Sequence, residues 1–96
     1  MAKGYWMFHT TVTDAQVYKN YVDRDGQAFD KCGAWFLVRG GEFRLVEGST
    51  QQRHVIIEFE SYESACACYH SPEYQSALEF RRAAAVTDLI IVKGMD

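Results

Sequence analysis

Leu89-Ile90-Ile91-Val92, close to the end of the 96-residue chain, is apolar at four successive positions. A strand shows its side chains to alternate faces, so such a run is apolar on both. Tyr5-Trp6-Met7-Phe8 and Val55-Ile56-Ile57-Glu58-Phe59 read almost the same way. A sheet covered by helices on one side alternates apolar with polar residues. These strands barely alternate, so both faces need cover. The helices of this chain suffice for one face only, and the other is expected to pack on a second copy of the protein.

Residues 4–12 read as the first strand. Thr13-Asp14-Ala15-Gln16 has the layout of a capping box, with Thr13 as N-cap and Gln16 at the third helical position. A helix follows to about Cys32, carried by Val17, Tyr18, Tyr21, Val22, Ala28, Phe29 and Cys32 at helical spacing. Gly26 is expected to soften or kink it, and Gly33 to close it. Residues 34–39 form the second strand, and Gly40-Gly41 a bulge or tight turn. Residues 43–47 continue or return in extended form. Residues 54–60 form the next strand. Ser61 caps a short helix, and Ser71-Pro72 restarts it, with proline at the first helical position where its missing N–H does no harm. That helix runs to about Ala85, and residues 86–93 complete the sheet. The order is βαββαβ, the ferredoxin-like α+β arrangement with an antiparallel sheet. Two such sheets packed face to face make a dimeric α/β barrel.

Bulk properties agree with one small domain over residues 1–96, whose modest core gains from association. Ten basic against thirteen acidic side chains leave a formal charge of −3, and the basic surroundings and motif of an RNA-binding sheet are missing, so no nucleic-acid partner is expected. The N-terminus lacks a signal-peptide layout, and no apolar run approaches the ~18 residues of a membrane span. A cytoplasmic protein without a membrane partner is the expectation. Cys32, Cys66 and Cys68 are read as reduced, partly buried thiols, since Cys66-Ala67-Cys68 is too tightly spaced for a CxxC motif.

Gly4-Tyr5-Trp6, Val38-Arg39-Gly40-Gly41, Glu47-Gly48, Ile57-Glu58-Phe59, Ser71-Pro72-Glu73-Tyr74 and Arg81 stand in an order and spacing that resembles the domain of unknown function family 1330. The resemblance covers nearly the whole chain. It implies membership of the dimeric α/β-barrel superfamily, whose relatives include cofactor-free monooxygenases, lactone isomerases and haem-dependent enzymes. The family itself brings no activity, and likeness of fold alone does not assign one.

Arg81 is the sharpest candidate for chemistry. It follows Tyr74, Ala77 and Leu78 on the apolar stripe of the last helix, and a charge facing a core needs a partner. Its planar fork suits the carboxylate or enolate oxygen of a substrate; the structural alternative is an ion pair with Glu58. Glu58 interrupts an apolar strand and shares a face with His54, Ile56 and Glu60. It is either a general base or a paired structural carboxylate. Arg39, taken to share a face with Trp35 and Leu37, is either a peripheral anion contact or a strand-end arginine packed on Trp35. His9, on the face of Tyr5 and Met7, is either a proton shuttle or ligand, or a satisfied core histidine. Tyr18, Tyr21, Tyr69 and Tyr74 should meet the sheet, where buried phenols need partners; they line a pocket or simply pack. No histidine pair has ligand spacing and no acidic cluster completes a metal site. Phosphate loops and nucleophile elbows are absent, so no cofactor is expected.

Two functions follow. In the first, a pocket between sheet and helices binds a small molecule, with Arg81 and Glu58 as polar anchors and tyrosines as walls. It serves a cofactor-free enzyme that acts on a small carbonyl or phenolic compound by proton transfer or oxygenation. In the second, the homodimer is a non-catalytic binding or structural module and Arg81–Glu58 is a structural ion pair.

Overall fold

The computed structural model describes residues 2–96. The chain runs β1 (Gly4–Val12), α1 (Ala15–Lys31), β2 (Trp35–Arg39), β3 (Arg53–Phe59), α2 (Tyr62–Tyr69), α3 (Pro72–Ala84) and β4 (Ala85–Lys93). The strands make one sheet in the order β2-β3-β1-β4, every neighbouring pair antiparallel. This is the expected α+β, ferredoxin-like topology. The helices lie on one face, and the molecule is 17 Å along its shortest axis, a two-layer slab. Trp6, Phe8, Val55, Ile57 and Phe59 point under the helices and are buried. Their alternate neighbours Tyr5, Met7, His9, Ile56 and Glu58 are half-buried on the open face.

Local chemistry fixes the element ends. The N-cap of α1 is Asp14, whose carboxylate accepts from Val17 N at 3.2 Å. Thr13 precedes the cap; its N–H and that of Asp14 both donate to Ala84 O, at 2.7 and 3.1 Å, and so hold the strand-to-helix turn. Helix α1 runs unbroken through Gly26. It ends where Gly33, at φ 68°, lets its N–H and that of Ala34 turn back to Asp30 O and Phe29 O. Ser61 Oγ caps α2 through Ser64 N. Ser71 Oγ accepts from Tyr74 N to cap α3 and donates to Cys68 O at 2.7 Å, so it joins the two helices. Gly4 lies so close to the start of α2 that a Cβ there would sit 2.5 Å from Ser61 O.

Three expectations are corrected. Residues 43–47 form no strand, and the bulge lies not at Gly40-Gly41 but at Leu37, between Phe36 and Val38. Cys32, the C-cap of α1, and Cys68 on α2 form a disulfide with Cα atoms 5.9 Å apart, rather than free thiols; Cys66 is free. Their 36-residue separation hid a pairing that helix packing creates. The core centres on Trp6, fully buried, with Phe29, Phe59 and Tyr74 ring centroids 5.2, 5.4 and 4.8 Å away. Its Nε1 donates to Ala65 O at 2.8 Å.

Candidate functional site

A cleft of about 530 Å³ opens beside edge strand β4, walled by Tyr69, Arg81 and Arg82 and floored by Thr87, Leu89 and Ile91. Helix α3 buries Tyr74, Ala77, Leu78, Arg81 and Ala84 on one stripe, so helical periodicity alone carries Arg81 inward. Arg81 is only 6% exposed. Its guanidinium carbon lies 5.7 Å from the Tyr21 ring and 5.9 Å from that of Phe8. Its Nε is buried without a hydrogen-bond partner. Among the described residues the two ion pairs within 4.0 Å are Lys3–Glu58 and Lys31–Glu73; Arg81 has none. A buried charge without a counter-ion is costly, and here it stands at the wall of an open cleft.

Behind Arg81 lies a buried polar layer. The phenols of Tyr21 and Tyr74 share a hydrogen bond of 2.9 Å. Burial pushes Tyr74 up to about 12 and Tyr21 well above the ordinary phenol value, with Arg81 pulling the other way on both. Both phenols therefore stay protonated, one donating to the other, and neither serves as a base near neutrality. Tyr18 is likewise raised by burial, opposed by Arg53. One further residue belongs to this layer. Asp25, 4% exposed on α1, has an Oδ1 that meets no partner. Burial lifts its carboxyl to about 6 from the ordinary 3.8, while Arg39, the Gly26 N–H and Arg53 pull it down. The spacing that picked Tyr18, Tyr21, Val22, Ala28 and Phe29 passes through position 25, so the signal for Asp25 was present in the apolar stripe. Arg53 stood at a strand end and gave no such signal.

The other sequence candidates divide between the two faces. Tyr69 joins Arg81 in the cleft, and Tyr18, Tyr21 and Tyr74 form the layer behind it. Arg39 does not share the face of Trp35: the bulge at Leu37 turns it to pair with Val55, on the helix side, with its guanidinium 4.2 Å over Phe36. Glu58 is on the opposite face from Arg81, so the ion pair between them is absent. Its carboxylate accepts from Tyr5 OH at 2.9 Å and lies 3.6 Å from Lys3 Nζ. It cannot reach the cleft as a base. His9 is not a core histidine. It is half-buried on the open face, where strand register sets its Nδ1 2.6 Å from His54 Nδ1. No group of three His, Cys, Asp or Glu side chains among the described residues is arranged to hold a metal ion.

The family model described as Domain of unknown function (DUF1330) matches residues 3–95. No functionally curated protein matches the sequence. Among solved structures, a protein of unknown function from Rhodopseudomonas palustris is similar at TM-score 0.79 and 18% identity, over 99% of this chain and 84% of the other. A dimeric protein of unknown function and ferredoxin-like fold from Bacteroides fragilis gives TM-score 0.63 and 10% identity over 95% of each chain. SnoaB, a cofactor-independent oxygenase from Streptomyces nogalater, gives 0.62 and 10%, over 100% of this chain and 96% of that one. At these identities the likeness is one of fold.

Proposed function

The chain belongs to the DUF1330 family, and from that premise we propose that it binds a small organic anion, a carboxylate, enolate or phenolate with an apolar body, in the cleft at Arg81. The observation that carries the reading is a buried guanidinium with no counter-ion beside a cavity large enough for such a molecule. Arg81 offers the charged fork, and Leu89, Ile91 and Ala85 an apolar floor; the Thr87 hydroxyl is already engaged with Thr10. Tyr69 supplies an aromatic wall.

Catalysis without a cofactor is the natural extension. A fixed, largely buried cation favours the enolate or phenolate form of a substrate over the neutral one, and that electron-rich form is the one that accepts a proton at carbon or reacts with dioxygen. The cofactor-independent oxygenase among the structural neighbours supports this extension. Glu58 takes no part in it. The non-catalytic reading loses its ion pair, since Arg81 and Glu58 lie on opposite faces.

The same reading makes the chain a single domain paired with a copy of itself through the open face, where Trp35, Ile90 and Val92 are 43%, 55% and 38% exposed. The dimeric neighbour from Bacteroides fragilis supports that arrangement. No helix among the described residues is long and apolar enough to cross a membrane. The compartment we favour is the cytoplasm, where the Cys32–Cys68 bond would be open to reduction.

The test is thermal melting with a panel of benzoate, phenylacetate and salicylate, on wild type and Arg81→Met. Saturable stabilisation of wild type that disappears in the variant is expected. Equal stabilisation of both would remove Arg81 from the site.

A further inference from the structure

Between β2 and β3 the chain is exposed throughout residues 37–50. The last backbone hydrogen bond on leaving β2 joins Gly40 N–H to His54 O at 2.9 Å, and among the described residues none involves residues 41–50. Neither helix nor turn occurs from Gly41 to Val46. The Phe43 ring lies 4.3 Å from that of His54, which meets His9 on the open face. This segment therefore rises from the rim of the face proposed to meet a second copy. Period 2 sets Leu45 with Phe43 and turns Arg44 and Val46 the other way. At the far side of the sheet, β4 bonds β1 along one edge and no strand along the other. A free edge of nine residues is a template for one more strand. Thr87, Leu89 and Ile91 on its helix side floor the Arg81 cleft. Val86, Ile90 and Val92 on its open side are exposed.

Resting on the cleft and the open-face pairing proposed above, we infer that residues 42–46 of a second copy lie along the free edge of β4, and that the second copy's Arg44 joins Arg81 in binding the anion. Two sheets brought face to face by a two-fold axis along the strands set β2 of one copy beside β4 of the other. Within one sheet β2 and β4 run in opposite directions, so the strands that meet are antiparallel, as every other pair here is. The segment leaving β2 then reaches the β4 edge directly, and both free edges are closed. The Phe43–His54 contact fixes the faces. Phe43 and Leu45, 46% and 49% exposed in one chain, join Val86 and Ile90 between the sheets. Arg44 and Val46 fall on the helix side, beside Leu89 and the cleft. A slip of one residue would exchange these faces and draw Phe43 away from His54. Arg44 has no ion pair of its own among the described residues. Each cleft thus takes its floor and Arg81 from one copy and its outer wall from the other.

The experiment is complementation between two variants, read by calorimetric titration with benzoate. Arg44 is exposed and lies outside every element, so Arg44→Met keeps the fold. Arg44→Met and Arg81→Met are each expected to bind benzoate about tenfold more weakly than wild type or worse, the worth of one charge-assisted contact. Co-expressed with different affinity tags and purified as the mixed dimer, the two chains bring an intact Arg81 and an intact Arg44 together at one of the two clefts. Wild-type affinity at one site per two chains is expected. Wild-type affinity in Arg44→Met alone would remove Arg44 from the cleft. A mixed dimer that binds as weakly as its parents would confine Arg44 to its own copy. Either result overturns the inference and leaves the Arg81 cleft standing. A wild-type mass of 11.0 kDa in light scattering would overturn the pairing and the shared site, again without touching the cleft. Failure of wild type to bind benzoate, phenylacetate and salicylate alike would overturn the cleft reading and this one with it.

Discussion

At the scale of single residues, the molecule is most distinctive where two buried charges stand unpaired. Arg81→Met should leave the melting temperature unchanged or raise it, because methionine fills similar space without a desolvated charge. A loss of several degrees in differential scanning calorimetry would instead reveal a structural partner. Asp25→Asn makes a sharper prediction. A carboxyl raised from 3.8 to about 6 binds more protons folded than unfolded between those values, so its cost is absent below the first and fully present above the second. That rise corresponds to roughly 3 kcal/mol at most. The variant should be more stable than wild type at pH 7.5, and urea midpoints should converge as pH falls toward 4. Position 81 was legible in the sequence because arginine interrupts a helical stripe. Position 25 carries the same signal on α1, where its spacing sets a carboxylate on the buried stripe. The location of Glu58 is also legible by period 2, but which face the helices cover is not, so spacing alone does not separate Glu58 from Arg81.

At the scale of elements, the serines at the helix starts do more than one task. Ser71→Ala removes the cap of α3 and a bond to Cys68 O, and should cost about 1–2 kcal/mol in chemical denaturation. Strand and helix positions followed from apolar period and from Ser-Pro and glycine punctuation, and apart from the extended piece expected at residues 43–47 they agree with the structure to within one or two residues. What failed were features set by partners distant in sequence. The bulge at Leu37 depends on how β2 meets β3, and it alone moves Arg39 from one face to the other. The His9–His54 contact needs strand register, and the Cys32–Cys68 bond needs α1 to rest against α2. None of these is written in local spacing.

At the scale of the whole molecule, the open face is the unfinished part of a two-layer slab. Light scattering at micromolar concentration should give twice the 11.0 kDa chain mass, with a melting temperature that rises with concentration. Ile90→Asp, a charge on the edge strand of that face, should return the chain to its single mass; a wild-type protein already at 11.0 kDa would refute pairing. The two tryptophans sit on opposite sides of the sheet: Trp6 is sealed among aromatic rings, and Trp35 is 43% exposed beside Lys3. The chain thus carries two built-in fluorophores with separate duties. Emission from Trp6 should be blue and shielded from iodide until the core melts, whereas emission from Trp35 should be red, quenchable, and shifted when two copies meet. Replacing either one by phenylalanine leaves a single lamp, and with it unfolding and association can be watched independently in the same cuvette.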